Sequence, residues 1–230
     1  MAIKTTHAGH GGNDSGAVGN GYIEATVARI INDKFKLHTN ARDCSENGNM
    51  TQSQRLSSIN KKVNAVATSS DWNLSHHLNA GGGDGVEVWY YAGSSEGKAM
   101  ATKVSAEIAK ATGMKDRGAK PTSSLAVIRG TKGKMLLIEW AFIDNKSNMF
   151  LLMANMDNAI KGVLQLFGYD LGSVTPNPNP NPSETQQVAY KVLYSNLVDE
   201  DIARVFSWGF KDCQVQHIND FKSWSAQNLY

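Results

Sequence analysis

Cysteine is nearly absent from this chain. The two among 230 residues, Cys44 and Cys213, lie far apart and without metal-type spacing. They read as free thiols of a reducing compartment, and a disulfide between them is not expected. An excess of one charge is lacking too: the net charge is +2, too small to argue for a nucleic-acid partner. Residues 1–182 carry 19 basic and 15 acidic side chains and residues 183–230 carry 4 and 6, so only a weak attraction of the larger part to an anionic surface follows. No apolar run approaches the ~20 residues of a membrane span. Met1-Ala2-Ile3-Lys4 lacks the apolar core of a signal peptide. The chain is therefore expected to be made and folded in a cytoplasm, without membrane or nucleic-acid partners. Gly81 to Gly85 is not followed by the Lys-Ser/Thr of a phosphate-cradling loop. Proline is scarce: four of the five alternate with asparagine from Pro176 to Pro182.

What is present is a globular composition, 41% hydrophobic and 19% charged, and three short stretches able to close on one metal ion. In Ala8-Gly9-His10-Gly11-Gly12, glycines on both sides let the backbone bend and leave the imidazole unobstructed. Gly21-Tyr22-Ile23-Glu24 puts a carboxylate at the start of a helix. Leu74-Ser75-His76-His77-Leu78-Asn79-Ala80 ends a strand. Two neutral imidazoles and one carboxylate suit a zinc ion (Zn2+) and leave its fourth position for water. Strand alternation separates the adjacent histidines: His77 shares a face with Ser75, and His76 points away with Leu74. A further carboxylate, Glu139, stands in the apolar run Leu136-Leu137-Ile138-Glu139-Trp140, where burial would raise its pKa and make it a general base.

In this order the stretches resemble the zinc-dependent N-acetylmuramoyl-L-alanine amidases (the amidase-3 family), in the form found in phage endolysins of Gram-positive hosts. The likeness runs from about Ile3 to Gly168. It implies that His10, Glu24 and His77 hold the zinc and that Glu139 is the catalytic glutamate. Arg55 and Asn60 fall on the family's Arg and Asn in the helix before the third ligand. Gly85 to Tyr91 matches the strand that follows it, and Phe142 and Asn145 match positions after the late Glu. Two positions depart: His7 stands where Asp is frequent, and His76 where an apolar residue is usual. The implied activity is hydrolysis of the amide between N-acetylmuramic acid and L-alanine, with peptidoglycan of a Gram-positive host as substrate. An enzyme of this kind, made in the host cytoplasm without an export signal, would reach the wall after release by a membrane-permeabilising partner. Two rivals share the motifs: a zinc carboxypeptidase or endopeptidase acting on stem peptides, and a non-catalytic wall-binding protein.

Along the chain, Val27, Ile30, Ile31 and Phe35 mark one amphipathic helix, and Leu56, Ile59, Val63 and Val66 a second. Arg55 reads as facing the cleft or the surface, and Arg42-Asp43 as part of a family segment or a solvated ion pair. Asp14, in the glycine-rich loop, shapes a turn and is placed to orient His10. Glu87 reads as a partner for a ligand histidine or as solvent-facing. Ser94 or Ser95 caps a helix closed by Gly113. Met114 to Pro121 reads as a basic loop, whose Arg117 and Lys120, with Asn79 and Arg55, are the candidate substrate contacts. Leu125 to Ile128 and Met135 to Phe142 read as the last strands, and Lys146 to Phe167 as the last helix. The alternation indicates an α/β sandwich with helices on both faces. The resemblance adds a mixed, mostly parallel sheet with the site beyond its carboxyl ends. Three parts are expected: a catalytic domain (1–172), an extended Pro/Asn linker (173–183), and a small C-terminal α/β module (184–230). That module loosely resembles wall-binding modules of endolysins. It would take cell-wall carbohydrate, and its small size allows pairing with another copy or with the catalytic domain.

Overall fold

The computed structural model describes residues 2–171; the linker and the C-terminal module lie outside the described residues. Eight strands and five helices follow one another: β1 (Ile3–Ala8), β2 (Val18–Gly19), β3 (Tyr22–Ile23), α1 (Glu24–His38), β4 (Arg42–Asp43), α2 (Gln52–Asn64), β5 (Trp72–Asn79), β6 (Val86–Tyr91), α3 (Ser95–Thr112), β7 (Asp116–Thr122), α4 (Ala126–Gly130), β8 (Lys134–Phe142) and α5 (Lys146–Leu166). Six strands form one sheet in the order β4-β1-β5-β8-β6-β7, and β2 and β3 form a small hairpin. Every pair in the large sheet is parallel except β6 with β8. The expected mixed, mostly parallel sheet with helices on both faces is what is found.

The pleat sorts the strands between two cores. On β8, Leu136, Ile138 and Trp140 join the larger core, which α1, α3 and α5 cover; Met135 and Leu137 face the smaller one, under α2 and α4. Each large apolar side chain buried this way contributes about 1.5–3 kcal/mol. Local signals set the helix ends. Thr51 and Gln54 form a reciprocal capping box at α2, the Ser94 hydroxyl accepts from Gly97 N at α3, and Gly113 closes α3 at φ 78°. No helix of the described residues is long and apolar enough to cross a membrane.

Two expectations are corrected. The basic loop, Met114 to Pro121, is largely the edge strand β7. Its side chains are mostly only half-buried, which suits a polar sequence, and Pro121 is tolerated there since an edge strand has amides that need no ladder partner. Gly118, at φ 75°, sits where the β6–β7 register slips by one residue. Leu125 to Ile128, read as a strand, opens the short helix α4, with Arg129 N donating to Leu125 O at 2.9 Å. A four-residue apolar run has no period with which to tell the two apart.

Cys44 is fully buried in the smaller core, and burial pushes its thiol up to about 11. In a Cys213→Ser background, Cys44 is expected to stay unreactive to a thiol reagent at pH 8 and to titrate completely in guanidinium. Rapid labelling of the native protein would contradict the described packing.

Candidate metal centre and active site

Three ligand-type side chains converge at the carboxyl ends of β1 and β5. His10 follows β1 in a left-handed backbone conformation (φ 57°), continued by Gly11 and Gly12 at φ 118° and 58°. Such a conformation is costly for a side-chain-bearing residue and persists where the surroundings impose it. Arg29 on α1 imposes it here: its guanidinium donates to the carbonyls of Gly9 (3.2 Å), His10 (2.9 Å) and Glu46 (2.8 Å). Arg55, 3% exposed, holds the Gly11 carbonyl from the other side.

Glu24 is the first residue of α1, yet it does not cap its own helix. The α1 amides of Glu24 and Ala25 are satisfied by the carbonyls of Ala17 and Ser15. The Glu24 carboxylate is thereby free to turn outward: Oε2 accepts from Ala17 N at 2.9 Å and Oε1 from Leu78 N at 3.1 Å. Oε1 also lies 3.0 Å from both His10 Nε2 and His77 Nδ1. Burial alone would raise this carboxyl, but hydrogen bonds from His10 and His77 outweigh it and hold it well below its ordinary value. Burial likewise disfavours a charge on His10, and Glu24 followed by Asp14 overcomes that and raises it.

The ligand atoms of His10, Glu24 and His77 all lie within 4.8 Å of one another. Two donors bound tetrahedrally at about 2.0–2.1 Å are roughly 3.3 Å apart, so a single divalent ion fits among these three with little adjustment. Asp14 Oδ2 lies 3.1 Å from His10 Nδ1. An acceptor there places the proton on Nδ1 and leaves the Nε2 lone pair facing inward, as a metal ligand requires. His76, the alternative to His77, lies in the larger core: Trp140 Nε1 donates to its Nδ1 at 3.1 Å, Thr6 Oγ1 is 2.9 Å from its Nε2, and the Phe35 ring packs 4.7 Å away. Burial first, and then the nearness of two further imidazoles, His7 and His77, lowers its pKa well below the ordinary value. His7 is buried as well, opposite Ser75 in register, and burial lowers it to about 3. Gly9 leaves room for the His77 ring, since a β-carbon there would sit 2.1 Å from Cε1. Gly9→Ala is expected to displace His77 and weaken metal binding at least about tenfold, as disturbing a ligand's support does, measured by competition with a chromogenic chelator.

Glu139 lies beside this cluster, opposite His77 across the parallel β5–β8 pair and opposite Glu87 across β6. Its Oε2 is buried without a hydrogen-bond partner among the described residues. Burial raises its carboxyl to about 7, with the nearby Glu24 and Glu87 adding to burial and the histidines opposing it. A carboxylate poised near neutrality beside a metal site has the affinity a general base needs.

The N-acetylmuramoyl-L-alanine amidase profile (Amidase_3) matches residues 6–163. The chain belongs to this family. An endolysin of Bacillus phage SPP1 is 36% identical over 154 residues, 63% of this chain and 56% of that protein. The amidase CwlM of Bacillus licheniformis is 33% identical over 143 residues, 61% of this chain and 56% of the relative. The chain thus spans little more than half the length of either relative. The catalytic domain of an endolysin targeting Clostridia difficile matches with a TM-score of 0.60 at 25% identity, covering 75% of this chain and 100% of that one.

Not every expected site residue of this amidase-family chain lies where the sequence suggested. Arg55 faces neither the cleft nor the surface; it is buried beneath the His10 loop, where its guanidinium donates to the Gly11 carbonyl. Asn79 is occupied within the protein: its Nδ2 donates to Glu87 Oε1 at 2.9 Å and its Oδ1 accepts from Ala80 N at 2.8 Å. Glu87 is neither solvent-facing nor spent on a ligand histidine, since Arg117 takes its other oxygen at 2.7 Å. Lys120 pairs in register with Trp89, which places it on the same sheet face as Glu87. Asn60 ties α2 to α4 through the Ala126 carbonyl at 3.2 Å. Arg29 carries no sequence signal for this role. Its only trace in the sequence is a lone basic residue two positions from Val27, and its carbonyl partners are set by loop conformation.

Proposed function

We propose that the chain is a zinc-dependent N-acetylmuramoyl-L-alanine amidase. It cuts the amide between the lactyl group of N-acetylmuramic acid and L-alanine in peptidoglycan, as an endolysin of a phage with a Gram-positive host. The observation that carries this reading is the convergence of His10, Glu24 and His77 beside the buried carboxylate of Glu139. Two imidazoles and one carboxylate are the composition of a three-residue catalytic zinc site with an open fourth position. A zinc ion held there would supply Lewis acidity and water of lowered pKa. Proton handling falls to the chain itself. Glu139 takes the proton of the attacking water, then returns it to the L-alanine nitrogen as the C–N bond breaks. Asp14 holds the His10 proton away from the centre, and Arg29 with Arg55 keeps the His10 turn from relaxing. The resemblance to the SPP1 endolysin supports the lytic role. Residues 184–230 are proposed to take cell-wall carbohydrate.

The test is mass spectrometry of purified Gram-positive peptidoglycan after digestion, with and without chelator. The expected products are intact stems beginning at a free L-alanine amine, lost on chelation and restored by zinc. Cuts inside the stem would make the chain a peptidase, and wall binding without cuts would leave no enzyme.

A further inference from the structure

Past Glu139 the site face of the sheet continues across β6 and β7, and it carries a cation for which the hydrolytic step has no use. Arg117 on β7 is anchored twice. Its Nε donates to Glu87 Oε2 at 2.7 Å, and its Cζ lies 4.9 Å from the centre of the Phe142 ring. Glu87 is itself fixed: it is 3% exposed, and Asn79 donates to its other oxygen. The guanidinium is therefore held through Nε and one flat face. Its two Nη groups have no protein partner among the described residues, and the side chain is 31% exposed. Those two groups form the fork that matches a carboxylate. An arginine already held in one position loses little further freedom on binding, so the affinity of the fork is not spent on ordering it. Lys120 adds a second positive charge to the same face.

The reach fits one position of the substrate. Adjacent strands are about 4.8 Å apart, so the Arg117 backbone stands about 10 Å from that of Glu139, and the ion pair draws its side chain back toward Glu87. A peptide advances about 3.5 Å per residue. With the scissile nitrogen at Glu139, a carboxyl group on the second stem residue falls about 7 Å away, under the fork.

We propose that Arg117 is a specificity-determining residue: its Nη fork takes the free α-carboxylate of the second residue of the stem peptide, so stems with an acid there are preferred to stems with a carboxamide. This rests on the amidase reading above.

The experiment compares two soluble N-acetylmuramoyl tripeptides that differ only in that group, acid or carboxamide, with the wild type, Arg117→Gln and Arg117→Lys. The wild type is expected to favour the acid by about tenfold or more in kcat/KM, mainly through KM. Arg117→Gln should erase the preference while changing the carboxamide substrate by less than about threefold, and Arg117→Lys should restore part of it. Equal loss on both substrates, carried by kcat, would mean that Arg117 only props Glu87 beside Glu139 and would overturn the proposal. So would a wild type indifferent to the group. A wild type that cuts neither tripeptide yet releases stems from intact wall would place recognition elsewhere and also overturn it. Release from neither would fail the amidase reading itself, and the inference with it.

Discussion

Glu139→Gln is expected to bind metal as the wild type does and to lose at least about a thousandfold in kcat, within the range general acid–base catalysis supplies. The side chain is not among the three ligand-type groups, which converge from other elements, so metal content measured after dialysis should be unchanged. Glutamine keeps the shape and cannot accept the proton. The fold also supplies a control. Burial raises the Glu139 carboxyl from 4.5 to about 7, so between those values the folded state holds a proton that the unfolded chain has released. By linkage, stability falls as pH rises through that window, by up to about 3 kcal/mol. The metal-free Gln variant lacks this loss. Its melting temperature should equal or exceed that of the metal-free wild type at pH 8, with the gap closing toward pH 4. Lost activity together with lowered stability at pH 8 would instead mean that the substitution damaged the packing.

The parts of this protein legible in its sequence are those governed by short-range rules. Val27, Ile30, Ile31 and Phe35 recur at helical spacing and lie buried on α1. Ser94 and Gly113 bound α3 because one side chain caps an amide and one residue accepts a left-handed backbone. The order of the family motifs from Gly9 to Glu139 carried the mixed sheet, and strand alternation alone sent His76 and His77 to opposite faces. The rest depends on contacts that no local pattern encodes. β7 is polar and contains a proline, and only its pairing with β6 makes it a strand. Arg29 looks like an ordinary charge on a helix surface, and Arg55 like a substrate contact or a surface charge, until the loops 9–13 and 44–49 fold back and offer them carbonyls. In the sequence Asn79, Glu87 and Arg117 read singly, as partners for a substrate or a ligand histidine. That they bind one another follows from the sheet order β5-β8-β6-β7, with β6 antiparallel to β8 and parallel to β7, which spacing cannot predict.

The two adjacent histidines should separate cleanly under substitution. His77→Ala removes a ligand-type group that the structure places 3.0 Å from the Glu24 carboxylate. Disturbing only the support of a metal ligand costs 10–100-fold in affinity, so losing the ligand itself should cost more than about a hundredfold. Hydrolysis of wall should then fall below detection at stoichiometric zinc. The fold should survive, since His77 is partly exposed at the site and its loss opens no closed cavity in the core. His76→Ala should do the reverse. It leaves the buried Trp140 Nε1 without its acceptor and Thr6 Oγ1 without one of its partners, and it opens a hole between Phe35 and Trp140. An unpaired buried donor costs about 1–3 kcal/mol and the cavity adds to it. For a domain of this size that lowers Tm by on the order of 10 °C. At a temperature where this variant is still folded, its zinc affinity should lie close to that of the wild type. The paired measurement is a chelator competition and a thermal melt on both variants. If His76→Ala lost the metal while His77→Ala kept it, β5 would present its other face to the ion, and the assignment of His77, with the alternation argument behind it, would fall.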